Sequence, residues 1–142
     1  MQHDIHIFGL NYRTANVEVR ECFALKEQET FESCARELGK AVDELMVLST
    51  CNRVEILVVS PVGSGTAQRV VDCWARSSAR AAGELAPHIY HHRGLDAVRH
   101  LFQVAAGLDS MVLGEPQILG QLKQAYRHAV EQGHARVVVN RL

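Results

Sequence analysis

Residues 45–59, LMVLSTCNRVEILVV, decide the fold because they place two apolar runs on either side of a short polar link. Residues 45–48 and 54–59 have the length and the aliphatic content of β-strands. The link between them, Ser49-Thr50-Cys51-Asn52-Arg53, consists of small and polar residues, as connections between strands do. The segment therefore predicts a β-hairpin with Cys51 at or beside its tip.

The elements outside the hairpin alternate between strands and helices, as judged from the spacing of apolar residues. They are a strand over residues 4–10, helices over 17–25 and 28–38, a helix over 66–82, a strand over 88–92, and helices after residue 95. The glycine-rich stretch 107–116 separates the last helices, and Pro116 fits the first position of the second one. The order β-α-β-β-α-β followed by helices predicts an α+β fold: a ferredoxin-like split β-α-β antiparallel sheet with an added helical subdomain.

The composition of the chain excludes several classes of protein. Its 142 residues are typical of one domain, its 47% hydrophobic content is typical of a packed core, and its net charge of −1 argues against a general polyanion binder. No apolar run approaches the roughly 18 residues of a membrane span, and the N-terminus does not resemble a secretion signal. We therefore expect a cytoplasmic protein without membrane contact. The four cysteines contain no CxxC pair, which argues against a zinc ribbon and a disulfide framework.

The cysteines fall into two groups by their surroundings. Cys34 and Cys73 lie on apolar faces of predicted helices and Cys22 lies in an apolar turn, so these three are expected to pack as small hydrophobic side chains. Cys51 has polar and small neighbours, and the guanidinium of Arg53 would stabilise its thiolate, which is the reactive form of cysteine. Cys51 is therefore either a catalytic nucleophile or an exposed cysteine without a function, and its spacing alone leaves both interpretations open.

A nucleophile needs a proton carrier, and the chain has 8 histidines. His100 lies on a predicted helix just ahead of the small residues 104–107, which permit close approach of a ligand. The alternative is a histidine whose hydrogen bonds only stabilise the helix. His88, His91 and His92 also cluster, but His91 and His92 would point to opposite faces of a strand, so we expect no metal there.

The stretch 107–121 is rich in glycine and in polar residues. Polar side chains on a loop broken by glycines suit the recognition of a small polar ligand, although an interhelical turn would have a similar composition. No Gly-Lys-Ser/Thr and no G-x-G-x-x-G occurs in the chain, so we expect neither a phosphate loop nor a dinucleotide site.

Three segments of the chain resemble the glutamyl-tRNA reductases. The first is GLNYRTA at 9–15 followed by Arg20-Glu21, the second is STCNRVE at 49–55, and the third runs from His100 through AGLDSMVLGEPQILGQLK at 106–123. The segments occur in the order typical of that family and span nearly the whole chain. Two residues depart from the usual pattern: Tyr12 stands in place of His, and Asn16 stands in place of Pro.

The resemblance implies an oxidoreductase that converts glutamyl-tRNA(Glu) to glutamate-1-semialdehyde with NADPH, as the first step of five-carbon tetrapyrrole (5-aminolevulinate, haem) biosynthesis. Cys51 would form a thioester with the glutamyl group, and His100 would take part in proton transfer. The residues implied to bind the glutamyl group are Thr50, Asn52, Arg53, Ser110, Glu115, Pro116, Gln117 and Gln121. No metal is implied.

The resemblance also implies a domain organisation and a set of partners. Residues 1–142 would form the N-terminal catalytic domain, with a split β-α-β part over roughly 1–93 and a helical part over 94–135. On this resemblance, the NADPH-binding and dimerisation domains of the family are expected to be absent from this chain. The implied partners are glutamyl-tRNA(Glu), a second copy bound through the missing C-terminal domain, and the glutamate-1-semialdehyde aminomutase that receives the product.

Two other functions fit the residues alone. A cysteine hydrolase would use the same Cys51 and His100 without a nicotinamide, and it would release an acid instead of an aldehyde. A tRNA- or protein-binding module descended from a reductase would need no thiolate, so the intact Cys51 motif argues against it.

Overall fold

The computed structural model describes residues 3–25, 38, 42–63, 65–107 and 117–142. Of the helix predicted over 28–38, only Leu38 belongs to the described residues, and it is helical and buried. The predicted site residues Ser110, Glu115 and Pro116 lie outside the described residues, as does Cys34.

The described strands form one antiparallel sheet. They are β1 (His3–Asn11), β2 (Glu44–Ser49), β3 (Arg53–Pro61) and β4 (Tyr90–Arg93), and their order across the sheet is β2-β3-β1-β4. The predicted hairpin is formed by β2 and β3, which pair from Glu44 opposite Val59 to Ser49 opposite Val54. β1 lies between β3 and β4 and pairs with both. This arrangement confirms the predicted α+β fold with a split β-α-β sheet.

Helices connect and follow these strands. They are α1 (Val17–Cys22), α2 (Thr66–Ser77), α3 (Ala82–Leu85), α4 (Leu95–Ala105), α5 (Gln117–Glu131) and α6 (Val137–Arg141), with a 3₁₀ turn at Ala86–His88. The prediction of a helix over 66–82 is wrong at its C-terminal end. α2 stops at Ser77 because Ala79 adopts a left-handed backbone (φ 55°) and the N–H of Arg80 donates back to the Ala75 carbonyl (2.9 Å). In the described parts of the chain, no helix is long and apolar enough to cross a membrane.

β3 is a central strand, and its side chains alternate between two hydrophobic cores. The even-numbered residues over 54–58 face a core that contains Trp74 of α2. The odd-numbered Leu57 and Val59 face a second core, which contains residues of α4 and α5. A strand covered by helices on both faces must be apolar on both, which explains the continuous apolar run 56–59.

Of the three described cysteines, Cys73 departs from expectation. Cys73 is buried in the first core, as predicted, but it is disulfide-bonded, so the expectation of a simple packed thiol is wrong. The apolar spacing of a helix does not reveal whether a second sulfur is within bonding distance. Cys22 and Cys51 are free; Cys22 packs half-buried against the first core, whereas Cys51 is exposed.

The C-terminal segment is attached to β2 through a buried carboxylate. Glu44 is 3% exposed, and its Oε1 accepts hydrogen bonds from the N–H groups of Arg136 (2.6 Å) and Val139 (2.9 Å). The Leu45 N–H donates to the His134 carbonyl at 2.9 Å. Glu44 therefore satisfies N–H groups at the start of α6 that have no partner within the helix.

Two histidines form a hydrogen bond between β1 and β4. His6 Nδ1 lies 2.9 Å from His91 Nε2, and both rings stack with Phe8. Burial lowers the pKa of His6 below the ordinary value of 6.5, and the neighbouring His91 lowers it further. Burial also lowers the pKa of His91, with the positive charge of Arg93 acting in the same direction. The folded chain therefore favours the uncharged pair.

We expect the chain to lose stability as the pH falls below the ordinary histidine pKa. A histidine whose pKa is lower in the folded than in the unfolded state binds protons more weakly when folded, so acid favours unfolding. The stability from the neutral pair is fully present above pH 6.5 and declines below it. The melting temperature should therefore be lower at about pH 5.5 than at about pH 7.5.

Two variants test whether this pair is responsible. His91→Gln should reduce the pH-dependent fall in melting temperature, because it removes one of the titrating rings. His88→Gln changes a histidine outside the pair and should keep the fall of the unmodified chain. An equal fall in all three proteins would show that other groups carry the pH dependence.

Candidate active site

The turn at Cys51 is held by hydrogen bonds of Thr50. The Thr50 N–H donates to the Arg53 carbonyl (2.8 Å), and the Thr50 hydroxyl oxygen accepts from the N–H groups of Asn52 and Arg53 (both 3.2 Å). Cys51 and Asn52 are therefore the central residues of a tight hairpin turn. Because Cys51 is exposed, its thiol is accessible to solvent on a backbone that the hairpin fixes.

Directly after the turn, β3 carries a buried ion pair. Arg53 and Glu55 are two positions apart, so both side chains lie on the same face of the strand. Arg53 is 2% and Glu55 is 5% exposed, and Arg53 Nη1 lies 3.4 Å from Glu55 Oε1. Charges removed from water in this way are tolerated only with a partner and with further hydrogen bonds. The pair therefore requires more polar groups around Glu55.

Tyr90 and His100 supply these groups. The Tyr90 hydroxyl donates to Glu55 Oε1, and His100 Nε2 is hydrogen-bonded to the same oxygen. Tyr90 belongs to β4 and His100 to α4, so three elements converge on one carboxylate. To donate to a carboxylate, His100 Nε2 must carry a hydrogen, and Nδ1 is then the acceptor nitrogen of the neutral ring.

The aromatic rings around Glu55 pack against each other. The ring centroids are 4.4 Å apart for His92 and His100, 5.2 Å apart for Tyr90 and His100, and 5.3 Å apart for Tyr90 and His92. These contacts restrict the plane of the His100 imidazole. We refer to Arg53, Glu55, Tyr90, His92 and His100 as the Glu55 cluster.

Gly9 on β1 makes room for Tyr90. Gly9 is opposite Glu55 on one side and opposite Tyr90 on the other, so all three residues lie in one row across the sheet. A Cβ atom at Gly9 would lie 2.6 Å from both Cζ and Oη of Tyr90. Because Gly9 has no side chain, the Tyr90 ring can cross over β1 and reach Glu55 on β3. A glycine inside a strand often marks such a close approach.

A cavity of about 290 Å³ lies beside the hairpin. Its lining residues come from β2, α5 and the segment after α1: Leu25, Val47, Leu48, Ser49, Gln121, Gln124 and Ala125. Gln121, which was predicted to bind the glutamyl group, therefore lines a space next to the end of β2 that leads to Cys51. Gln117 begins α5 and is exposed.

The structure brings several of the predicted residues to one end of the sheet. Thr50, Asn52 and Arg53 belong to the same hairpin turn as Cys51. His100 reaches the strand after that turn through its hydrogen bond to Glu55. The positions of Ser110, Glu115 and Pro116 lie outside the described residues.

Sequence reasoning does not single out Glu55, Tyr90 or His92 as members of a site. One feature of the sequence does indicate a polar cluster: Arg53 and Glu55 alternate with apolar residues, which places two charged side chains on one face of a buried strand. Two charges on a buried face need shared hydrogen-bond partners. Which residues provide them depends on pairings between distant segments, and the local pattern does not contain that information.

The histidines of β4 point to opposite faces, as the strand alternation predicts. His91 stacks with Phe8, whereas His92 stacks with His100. Within the ranges that the structure describes, no group of three or more His, Cys, Asp and Glu side chains is arranged to hold a metal ion.

Comparison with known proteins identifies a family over nearly the whole chain. The family model described as the glutamyl-tRNAGlu reductase N-terminal domain matches residues 8–142. The glutamyl-tRNA reductase of Nitratidesulfovibrio vulgaris (strain DSM 19637 / Miyazaki F) is 54% identical and that of Solidesulfovibrio magneticus is 55% identical, each over 142 residues and 100% of this chain. The chain spans 32% and 31% of these relatives, which is about a third of their length.

A solved structure has the same fold. The glutamyl-tRNA reductase from Methanopyrus kandleri superposes with a TM-score of 0.69 at 32% sequence identity, covering 93% of this chain and 29% of that chain. Since the family model extends from residue 8 to residue 142, the chain belongs to the family of glutamyl-tRNA reductase N-terminal domains.

Proposed function

We propose that this chain is the catalytic, glutamate-recognising domain of a glutamyl-tRNA reductase. The whole protein would reduce glutamyl-tRNA(Glu) to glutamate-1-semialdehyde with NADPH, as the first step of the five-carbon route to 5-aminolevulinate and haem. The observation that carries the proposal is the exposed, free thiol of Cys51 on a fixed hairpin turn, two residues before the buried Arg53 of the Glu55 cluster.

The step assigned to this chain is transfer of the glutamyl group from tRNA to Cys51. The thiolate sulfur attacks the ester carbonyl carbon, the bond from that carbon to the terminal ribose oxygen breaks, and the ribose oxygen leaves with a proton. The product is a thioester, whose carbonyl is less stabilised by resonance than that of the ester and is more readily reduced. Covalent catalysis thereby divides one difficult step into two easier ones.

His100 is the proposed proton carrier for the leaving ribose oxygen. Its Nε2 is held by Glu55, which selects the tautomer and orients the ring. In catalytic triads the acidic residue likewise orients the imidazole and does not itself take the proton. Glu55 is therefore proposed as the residue that orients His100.

The glutamyl group is proposed to bind beside the turn. The proposed pocket residues are Thr50, Asn52, Arg53, Ser110, Glu115, Pro116, Gln117 and Gln121. The cavity between Ser49 and Gln121 supports this position, because it opens next to the strand end that leads to Cys51. Arg53 is proposed to recognise the substrate carboxylate with its planar guanidinium, which the contact with Glu55 orients.

NADPH is proposed to bind outside this chain. The sequence contains no G-x-G-x-x-G, and the described sheet is antiparallel, so it lacks the crevice of a parallel sheet in which dinucleotides bind. The described residues therefore do not fit the cofactor, and we assign the reduction step to the remainder of a longer protein.

The remaining assignments follow from the same proposal. Residues 1–93 form the proposed split β-α-β part of the catalytic domain, and residues 94–135 form its helical part. The rest of the longer protein is proposed to dimerise and to pass the product to the glutamate-1-semialdehyde aminomutase in the cytoplasm. No metal takes part in the proposed reaction.

A cysteine hydrolase is the second candidate function. The same Cys51 and His100 support it, because both reactions pass through an acyl-cysteine. The two functions differ in what attacks the thioester carbonyl, which is a hydride in the reductase and water in the hydrolase. The product formed by the longer protein with NADPH, an aldehyde or an acid, therefore distinguishes them.

Cys51→Ser should prevent formation of the glutamyl adduct, because a serine hydroxyl is a much weaker nucleophile than a thiolate at neutral pH. We expect the rate of adduct formation to fall roughly 10³-fold or more. The measurement is the mass of the protein after incubation with glutamyl-tRNA. Cys22→Ser, at the other free cysteine of the described residues, should leave the adduct intact. A similar adduct yield from Cys51→Ser would exclude Cys51 as the nucleophile.

The 142-residue chain should form the thioester without reducing it. Because the described residues provide no site for a hydride donor, water is the acceptor that remains for the glutamyl group. We expect slow release of free glutamate from glutamyl-tRNA, at the same rate with and without NADPH. The measurement is product analysis after mixing the charged tRNA with the chain. Formation of the semialdehyde would show a cofactor site that the described residues do not reveal, and unchanged deacylation would show that the tRNA must be presented by other domains.

A further inference from the structure

We propose that Tyr90 is a positioning residue for the Glu55–His100 pair and that Gly9 is required to admit it. The inference rests on the proposed function, in which His100 carries the proton during acyl transfer to Cys51. Tyr90 acts through Glu55 in this proposal and does not contact the substrate.

The first observation is the set of hydrogen bonds to one carboxylate oxygen. Glu55 Oε1 accepts a hydrogen bond from the Tyr90 hydroxyl and is hydrogen-bonded to His100 Nε2. Arg53 Nη1 lies 3.4 Å from the same oxygen. A buried carboxylate that is held from several directions has one orientation. Without the hydroxyl, the carboxylate can rotate towards Arg53, and the hydrogen bond that orients His100 changes with it.

The second observation is that Tyr90 contacts both members of the pair. Its ring lies 5.2 Å from the His100 ring at an interplanar angle of 60°. Tyr90 thus limits the imidazole plane through packing and limits the Glu55 carboxylate through its hydroxyl. Tyr90→Phe separates these effects, because phenylalanine keeps the ring and removes only the donor.

The third observation concerns the position of Tyr90 in the sheet. β4 is an edge strand of four residues that pairs with β1, whereas Glu55 lies on β3, on the far side of β1. The Tyr90 hydroxyl therefore connects the edge strand to the strand that follows Cys51. This connection crosses β1 at Gly9, where a Cβ would lie 2.6 Å from the phenol oxygen.

The test is a double-mutant cycle on Tyr90→Phe and Glu55→Gln. The first readout is the single-turnover rate of glutamyl transfer from glutamyl-tRNA to the protein. The second is the ¹⁵N NMR spectrum of the His100 ring nitrogens without substrate, which reports the tautomer and the hydrogen bond at Nε2. Tyr126→Phe is the matched control, because the Tyr126 hydroxyl also donates to a side-chain oxygen, that of Asn140 at 2.7 Å, away from the cluster.

We expect Tyr90→Phe to slow glutamyl transfer about tenfold, the effect of losing one hydrogen bond to a charged group, and to shift the His100 ring resonances. The slower transfer and the shift of the His100 resonances should both disappear when Tyr90→Phe is added to a chain that already carries Glu55→Gln, because the effects of substitutions at coupled residues are not additive. Tyr126→Phe should change neither readout. Unchanged His100 resonances in Tyr90→Phe, or the same rate factor in both backgrounds, would overturn the proposal.

Gly9→Ala provides a second route to the same result, because it displaces the Tyr90 ring without removing the hydroxyl. We expect the His100 resonances to shift as they do in Tyr90→Phe. Gly83→Ala is its control, since a Cβ at Gly83 meets nothing within 4 Å. Unshifted His100 resonances in Gly9→Ala would contradict the role of Gly9. If neither the unmodified chain nor the longer protein forms an adduct, the proposed function fails, while the His100 spectra still decide the role of Tyr90.

Discussion

The buried carboxylate of Glu55 is the group on which the arrangement at the Cys51 end of the structure depends. It is 5% exposed, and its hydrogen bonds come from β3, β4 and α4. Removing one partner of a buried ion pair destabilises a protein by about 3–5 kcal/mol, because the remaining charge is left without compensation. The strand that follows Cys51, the edge strand and the first helix of the C-terminal part are therefore held together by one polar group.

The hydrogen bonds of the Glu55 carboxylate help to explain how the Cys51 side chain is both accessible to solvent and well positioned. Cys51 lies in the hairpin turn between β2 and β3 and is exposed, and Thr50 fixes the backbone of that turn. Immediately behind the turn, β3 is buried on both faces by helices. Functional residues on loops are placed accurately when the supporting elements are rigid. In this chain the rigid element that supports the turn is β3, which begins at Arg53.

The fold could be predicted from the sequence where local patterns determine it. The apolar runs on either side of Cys51 specify the hairpin, and the order of strands and helices specifies the split β-α-β sheet. The end of α2 was missed because Ala79 adopts a conformation usually taken by glycine, so no residue type marks the stop. The disulfide bond of Cys73 was missed because helical spacing describes burial and not the distance between sulfur atoms.

The site could be predicted only in part, for a related reason. Cys51 and its neighbours are contiguous in the sequence, so their polar character is visible there. The Glu55 cluster is not contiguous: Tyr90 is 35 and His100 is 45 positions from Glu55. Neither the Tyr90–Glu55 contact nor the His100–Glu55 contact produces a periodic pattern of residue types in the sequence. The family resemblance indicates His100, but only the sheet register shows that Gly9, Glu55 and Tyr90 lie in one row.

The two buried carboxylates of the hairpin together fix the C-terminal helices against the sheet. Glu44 and Glu55 lie on the same sheet face, because their partners Val59 and Leu48 both belong to the second core. Glu44 binds the start of α6, and Glu55 binds α4 through His100. The apolar contacts between them attract the helices to the sheet but are not directional. Hydrogen bonds to a carboxylate are directional. The bonds of Glu44 to α6 and of Glu55 to α4 therefore restrict sliding and rotation of these helices on the sheet. Glu55 thereby positions His100 at the turn end of the hairpin, and Glu44 fixes α6 at the other end.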